Sequence, residues 1–260
     1  VKSILKSKKG NKKGQLTIFI ILALAIVIVL VLLFIGKTNL SAIFTPTPPI
    51  NQIKECVQEP VQEAVDILRL QGGSLDPSFY YSYQGSKIEY LCYAEEYYEP
   101  CIMQKPLLKQ AIEQQIQSYA SPRIKNCISS VKANLERKGY QITMSSPQIS
   151  ISLLTGNILI DIVGDIKIVK EQTESYKSIK TDIPSSLYEQ VILASSISNW
   201  EARYGDAETM SYMIYYPLLK VEKKKQGDGT KIYTITDRNS KEKFIFASRS
   251  LVLPSGFTGQ

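Results

Sequence analysis

The sequence predicts an α+β fold with a single N-terminal transmembrane helix, a helical disulfide-stapled subdomain, and an antiparallel β-sheet subdomain with a packed helix. Three observations predict this fold. Residues 16–35 carry no charge. Apolar residues then recur at helical steps of three and four up to residue 138, and from Tyr140 onward they mostly alternate with a period of two. All four cysteines follow the uncharged stretch.

The uncharged stretch has the length of a membrane-spanning helix, so we predict a transmembrane anchor at residues 15–36. A helix of about 20 residues, rising about 1.5 Å per residue, spans roughly 30 Å, the thickness of the hydrocarbon core of a bilayer. The preceding residues 1–14 form a basic n-region without acidic residues. The positive-inside bias keeps this n-region in the cytoplasm and places the ectodomain outside a single-pass anchor in the cell membrane, with membrane lipid as a partner. The basic residues are Lys2, Lys6, Lys8, Lys9, Lys12 and Lys13.

A cleavable secretory signal is the competing interpretation of the N-terminus. The apolar region of such a signal usually has roughly 7–15 residues and ends at a small-x-small cleavage site. The apolar region here is longer, and Phe34-Ile35-Gly36-Lys37 contains no Ala-x-Ala-like site. The sequence therefore favours an anchor that is retained.

The segment Lys12-Lys13-Gly14-Gln15-Leu16-Thr17, followed directly by the apolar stretch, resembles the class III signal of archaeal type IV pilins and archaellins. The resemblance is confined to this N-terminal part of the chain. It implies that a prepilin peptidase cuts between Gly14 and Gln15, and that the apolar helix is kept as a filament core or membrane anchor. Bacterial pilins carry a glutamate at the fifth mature position, where this chain has Phe19. The alternative is a tail rich in Lys and Gly on an ordinary single-pass anchor.

The net charge of +7 belongs to the N-terminal segment. Residues 1–14 hold six of the 31 Lys and Arg residues and none of the 24 Asp and Glu residues, which leaves 25 basic against 24 acidic side chains. A nearly neutral remainder lacks the electrostatic footprint of a nucleic-acid-binding protein, so no nucleic-acid partner is expected. The chain has no histidine, which excludes His-dependent catalytic triads and His metal sites.

Residues 37–49 are predicted to be a Pro-rich linker. Pro46, Pro48 and Pro49 restrain their neighbours toward extended geometry, which gives a short, stiff spacer. Pilins of the resembling family usually continue the anchor helix straight into the globular head. The break here favours a flexibly mounted ectodomain over a shared helical core.

Residues 50–139 are predicted to form the helical subdomain. One helix covers 50–71 and is kinked or split at Pro60, and a second covers 105–138 and restarts at Pro122.

Between the two helices, residues 79–83 and 87–93 are predicted to form a hairpin rich in tyrosine. The rings can cover the neighbouring helix with their hydroxyls in water. They can also form a binding surface, where the rigid, amphipathic tyrosine is favoured. Both interpretations stay open. The candidate binding residues are Tyr80, Tyr81, Tyr83, Tyr90, Tyr93, Tyr97 and Tyr98.

The cysteines are predicted to form two disulfides, because an even number lies on the translocated side, where disulfides persist. Cys56 and Cys127 each fall on the apolar stripe of a predicted helix, so their sulfurs meet if the stripes pack together. Cys92 and Cys101 enclose a short loop. The expected bridges are therefore Cys56–Cys127 and Cys92–Cys101, and buried free thiols are the alternative.

Residues 140–260 are predicted to form the α+β subdomain. A helix begins at Pro184 and ends at Gly205 with Trp200 among its inward side chains, and Asp206 caps a short helix after it. A loose tail ends the chain. The predicted strands are 140–145, 148–154, 158–170, 176–183, 218–224, 231–237 and 242–252, with a bulge or bend at Gly164.

No residue pattern predicts catalysis or a cofactor. Asp161 and Asp165 offer two carboxylates where calcium needs six or more oxygen ligands. Ser195 and Ser196 have no base near them in sequence, although a Ser/Lys dyad set by the fold stays open. We therefore expect a structural or adhesive cell-surface protein, not an enzyme, whose partners include a prepilin peptidase and self or other surface subunits. An anchored receptor or sensor that binds through the Tyr-rich segment is the alternative, and an envelope enzyme is the second one.

Overall fold

The computed structural model describes residues 20–31 and 48–253. The chain divides into two compact units, with the boundary between Pro48 and Pro49. Helix α1, residues 20–31, belongs to the first unit, and its side chains are exposed. Within the described ranges, no helix combines the length and the hydropathy that a membrane span requires. The predicted anchor extends beyond residues 20–31 on both sides, and Gly14, Gln15, most of the linker and the C-terminal tail lie outside the described residues.

The second unit is an α+β fold with mostly antiparallel strand pairs and two disulfides, as predicted. Its helices are α2 (Pro49–Arg69), α3 (Leu108–Arg137), α4 (Leu187–Tyr204) and α5 (Thr209–Tyr215). Its strands are β1 (Tyr80–Tyr83), β2 (Ser86–Tyr93), β3 (Ile102–Met103), β4 (Gln141–Met144), β5 (Gln148–Leu154), β6 (Asn157–Val169), β7 (Thr173–Pro184), β8 (Leu219–Lys225), β9 (Lys231–Asp237) and β10 (Lys243–Arg249).

Helices α2 and α3 pack against each other along their apolar stripes. The bridge between Cys56 and Cys127 joins the two stripes, which confirms the predicted pairing. The second predicted pairing, Cys92–Cys101, is also confirmed. All cysteines of the described residues are therefore in disulfides.

The predicted restart of the second helix at Pro122 is wrong, because α3 runs through this residue without a break. A proline inside a helix costs about 3 kcal/mol or more. The buried stripe of Ile116, Ala120, Ile124 and Ile128 nevertheless keeps one face across Pro122, and burying each of its isoleucine side chains contributes roughly 1.5–3 kcal/mol. Helix α2 likewise continues through Pro60, so it is not split there.

A four-stranded antiparallel sheet follows α3. Strands β4 and β5 pair with successive halves of the long strand β6, and β7 pairs along its other edge. The register of β6 and β7 shifts between Val163 and Ile166, where the bulge at Gly164 was predicted. The buried aliphatic side chains of this sheet face the core to which α3 and α4 also contribute.

The second sheet has six strands and combines distant parts of the chain. Its order is β1-β2-β10-β9-β8, with β3 beside β2. Strands β8, β9 and β10 form the predicted antiparallel meander, and β2 pairs with β10 in parallel. Because the Tyr-rich hairpin belongs to this sheet, the boundary predicted between residues 139 and 140 falls inside one packed unit.

Helix α4 contacts strands of both sheets and ends at Gly205, whose φ of 79° is left-handed. Two predictions about this region are wrong. Trp200 is 45% exposed and packs on Tyr204, because Glu201 takes the inward position at this turn. Asp206 does not cap α5, since the side chain of Glu208 accepts the hydrogen bond from Met210 N.

Candidate functional site

The tyrosines predicted as a binding surface occupy different environments. Tyr90 is buried, and its hydroxyl lies 2.8 Å from Thr230 Oγ1. Burial raises the pKa of Tyr90 to about 12. The half-buried members are Tyr81, Tyr83 and Tyr93, and the exposed ones are Tyr80, Tyr97 and Tyr98.

The buried and half-buried tyrosines form an aromatic cluster on the six-stranded sheet, with Phe79 beside them. Strand alternation places this cluster on the face opposite the main core, because Phe244 and Phe246 of β10 enter the core, whereas Ile245 packs against the cluster. Tyr93 meets both Phe79 and Tyr90 edge to face, with centroids 4.7 Å and 4.9 Å away, and Phe79 is tilted by 37° against Tyr90. Such contacts hold the rings against one another, so this part of the predicted surface has a packing role.

The exposed tyrosines Tyr97 and Tyr98 lie on the loop that the Cys92–Cys101 disulfide closes. Arg249 fixes this loop from the sheet: its guanidinium lies 5.7 Å from the centroid of the Tyr97 ring and donates to Glu95 O at 2.8 Å. Tyr98 N also donates to Val252 O at 3.0 Å. The loop therefore presents two exposed aromatic rings on a backbone that is held in place.

Several buried polar side chains surround the carboxylate of Glu201, and we call them together the Glu201 cluster. They were not predicted from the sequence. Glu201 Oε1 accepts from the Tyr233 hydroxyl and from Ala207 N, and Oε2 accepts from Lys231 Nζ at 2.8 Å and from Ser248 Oγ at 3.3 Å. Glu201 has no exposed surface and Lys231 is 5% exposed. Burial and the neighbouring Glu201 raise the pKa of Tyr233.

Lys231, the lysine of the Glu201 cluster, has further partners besides Glu201. Lys231 Nζ donates to Gly205 O and lies 3.2 Å from Asp206 Oδ1. Burial works against the charge of Asp206, but Lys223 at 2.7 Å and Lys231 outweigh it and hold the pKa of Asp206 below its usual value. Since each charged group already has its partners, the cluster ties elements together and leaves no free acid or base for a substrate.

The Glu201 cluster extends to the tyrosine-bearing loop through two serines. Ser250 Oγ donates to Glu201 O at 2.8 Å and accepts from Cys101 N at 2.9 Å. Ser248 Oγ lies 3.9 Å from Cys101 Sγ. The end of α4, strand β10 and the Cys92–Cys101 loop are thus joined by one hydrogen-bonded chain. A signal for this was present in the sequence: Glu201 follows Ile197 by four residues and so lies on the apolar stripe of its helix.

An open groove with a volume of about 540 Å³ lies elsewhere on the unit; we call it the Glu189 groove. Glu189 Oε1 accepts from Gly156 N at 2.9 Å, whereas Oε2 is buried and has no hydrogen-bond partner among the described residues. Burial alone would raise the pKa of Glu242, which also lines the groove. The guanidinium of Arg69, whose Nη2 lies 3.0 Å from Glu242 Oε1, outweighs this effect and lowers the pKa. The lining residues are Gly156, Pro184, Ser185, Ser186, Glu189, Tyr215, Tyr216, Pro217, Leu218, Leu219, Asp237, Asn239, Ser240 and Glu242.

The remaining candidates do not gather into a site. Asp161 lies 3.8 Å from Lys180 Nζ, and Ser195 Oγ donates to Val191 O at 2.9 Å. Within the part of the chain that the structure describes, no three His, Cys, Asp or Glu side chains are placed to hold a metal ion together.

Comparison of the chain with protein-family models, with curated proteins and with solved structures finds no match. The residues themselves are therefore the basis for a functional proposal.

Proposed function

We propose that the protein is a cell-surface protein with a structural or adhesive role, held in the membrane by residues 15–36 with its C-terminal part outside. The observation that carries this placement is the pairing of all four cysteines, both bridges lying in the unit after Pro48. Disulfides persist in oxidising compartments and are rare in the cytosol. The lysines before residue 16 support the same orientation on independent grounds.

A structural or adhesive role fits the chemistry of the described residues better than catalysis does. The Glu201 cluster is saturated by its own partners, and Tyr97 and Tyr98 are presented at the surface on a fixed loop. Exposed, preorganised tyrosines bind partners at a low entropic cost. The same observation favours the second candidate, an anchored receptor or sensor ectodomain that binds through these rings.

Processing after Gly14 is the first test of the proposal. N-terminal sequencing of the protein extracted from membranes is expected to give Gln15 as the first residue. Replacing Gly14→Val should block the cut and leave the six lysines attached, whereas Gly10→Val, in the same basic segment, should be cut normally. An uncut wild-type chain would contradict the proposed pilin-like processing but would remain compatible with an ordinary membrane anchor. Release of the protein from membranes by alkaline carbonate would contradict the proposal that residues 15–36 anchor it.

Shearing separates the two kinds of surface protein. A filament subunit leaves the cells on mechanical shearing, whereas a singly anchored ectodomain stays with the membrane fraction. The Pro-rich stretch at 45–49 favours the second result.

The exposed tyrosines are expected to carry attachment. Replacing Tyr97→Ala together with Tyr98→Asn should lower the binding of protein-coated beads to cells at least about tenfold, as loss of an aromatic anchor does at interfaces. Asn is chosen because Tyr98 has a φ of 60°, which Asn tolerates. The free energy of unfolding should change by no more than about 1 kcal/mol, since both side chains are exposed and the contact of the Tyr97 ring with Arg249 lies at the surface.

The matched control for attachment is Tyr204→Ala, which removes a tyrosine of similar exposure at the end of α4. Equal binding by the double variant and the wild type would contradict a role for the loop.

A further inference from the structure

An exposed strip without charge follows α5 and the turn after it. Residues 209–219 contain no charged side chain, although such residues make up 21% of the chain. Met210, Ile214, Tyr215 and Leu218 are 64%, 75%, 81% and 59% exposed, and α5 buries none of its residues. We call these four residues the α5 strip. Large apolar side chains gathered on a surface mark a contact with a partner or a membrane.

The only tryptophan of the chain borders the α5 strip. Trp200 lies on α4 and is 45% exposed. Helix α5 lies against the same side of α4, since the Tyr212 hydroxyl donates to Ser196 O at 3.4 Å and Ser196 precedes Trp200 by about one helical turn. The ring of Trp200 therefore extends the exposed apolar surface from α5 onto α4.

The composition of this surface is that of a membrane interface. Trp and Tyr are enriched at the level of the lipid headgroups, because each has an apolar ring and a polar tip. Side chains such as Met, Ile and Leu enter the boundary between headgroups and acyl chains.

Two cations beside this surface suit anionic headgroups. Arg203 follows Trp200 by three residues on α4 and is exposed, and the guanidinium of Arg238 lies 3.9 Å from Met213 Sδ of α5. Neither arginine forms an ion pair within the described residues. Glu208, at the start of α5, is engaged as its N-cap. Cations near a bilayer are attracted to its anionic lipids.

A bilayer is also the partner that the proposed anchor keeps within reach. Only residues 37–48 separate the predicted anchor from Pro49, where the second unit begins. Fully extended, a segment of this length spans at most about 45 Å. Such a tether holds the second unit at a high effective concentration near lipid, whereas a protein partner has to be recruited.

We propose that the α5 strip and Trp200 rest on the lipid surface, with their aromatic rings at the level of the headgroups. The inference rests on the proposed membrane attachment and adds a defined face with which the second unit meets the bilayer. Helix α5 packs against β8, whereas the loop of Tyr97 and Tyr98 follows β2, and β9 and β10 lie between these two strands. Contact with lipid through α5 therefore leaves that loop available to other partners.

The fluorescence of Trp200 tests the contact in the full chain. The chain is reconstituted into vesicles of phosphatidylcholine and phosphatidylglycerol whose acyl chains are either brominated near the headgroup or unmodified. Bromine quenches a tryptophan that it touches, so brominated lipid should lower the emission at least about twofold for a ring at the boundary of headgroups and acyl chains. In the variant Ile214→Glu with Leu218→Glu, the two carboxylates oppose insertion, and the quenching should be lost.

The matched control places the same charges at the other end of the six-stranded sheet. Ile102 of β3 and Leu107 are 74% and 69% exposed, and the variant Ile102→Glu with Leu107→Glu should be quenched like the wild type. Moving the reporter, by Trp200→Phe with Leu107→Trp, should abolish the quenching. Unchanged circular dichroism establishes that each variant is folded.

Flotation of the vesicles separates failure of this contact from failure of the anchor. A chain that floats with the vesicles while Trp200 is not quenched would overturn the contact and leave the anchor intact. Equal quenching of the Ile214→Glu, Leu218→Glu variant and the wild type would also overturn it. A chain that does not float would contradict both the anchor and the contact that rests on it.

Discussion

Replacing Lys231→Met is expected to lower the free energy of unfolding by about 3–5 kcal/mol, because it leaves the buried carboxylate of Glu201 without its cation. The side chains of Lys231 and Glu201 are 6% and 0% exposed, so water cannot replace the lost partner. Urea unfolding of the full chain in detergent, followed by circular dichroism, measures the loss. The control is Lys220→Met on strand β8, where a half-exposed lysine pairs with Glu222 and the expected change is below about 1 kcal/mol.

A double-mutant cycle identifies the pair as the cause. Glu201→Gln alone leaves the ammonium of Lys231 buried beside a neutral amide and should also destabilise the protein. The double variant should lose less than the sum of the two single losses, by at least about 1.5 kcal/mol, because neither charge is then left alone. Strict additivity would contradict the assignment of a coupled pair, and a loss below about 1 kcal/mol for Lys231→Met would contradict its burial.

The second large effect is expected at the disulfide between α2 and α3. Replacing Cys56→Ser and Cys127→Ser together should lower the free energy of unfolding by about 4 kcal/mol on the chain-entropy model, because the sequence separation is 71 residues. Both cysteines lie where the two apolar stripes meet, so the packing around them weakens as well. The measurement is again the urea midpoint, with the slope of the transition checked for a change in the unfolded state.

The second disulfide supplies the matched comparison. Cys92 and Cys101 are separated by nine residues, for which the same model gives about 2.5 kcal/mol. The Cys92→Ser, Cys101→Ser variant should therefore be the more stable of the two. The reverse order would show that local packing around the short loop, through Ser248 and Ser250, outweighs chain entropy.

Local patterns predicted most elements of this fold, because apolar periodicity and turn residues act over short distances. The two disulfides followed from the positions of Cys56 and Cys127 on helical stripes and from the short spacing of the other pair. The predicted break at Pro122 failed for a physical reason. The cost of a proline is local, whereas the burial that outweighs it comes from residues of α2 and the sheets that sequence spacing does not reveal.

Local sequence patterns did not predict which strands pair when they lie far apart in the chain. The parallel contact of β2 with β10 joins residues 156 or 157 positions apart, and no periodicity in either strand specifies its partner. The Glu201 cluster was missed because Lys231 begins a strand, where a lysine usually reaches into water. The tyrosines were recognised as a group, but their division into packed and exposed rings depends on which face of the sheet each one takes.

The position of β10 has a consequence for the order in which the chain matures. This strand lies between β2 and β9, so without it the six-stranded sheet falls into two pieces that share no hydrogen bonds. It is also the last strand in the part of the chain that the structure describes. During synthesis from the N-terminus, residues 90–93 keep an unpaired strand edge until residues 247–249 have been made. A chain that is truncated before residue 243 is therefore expected to be recognised as incomplete by proteases and chaperones, even though most of its helices have already been made.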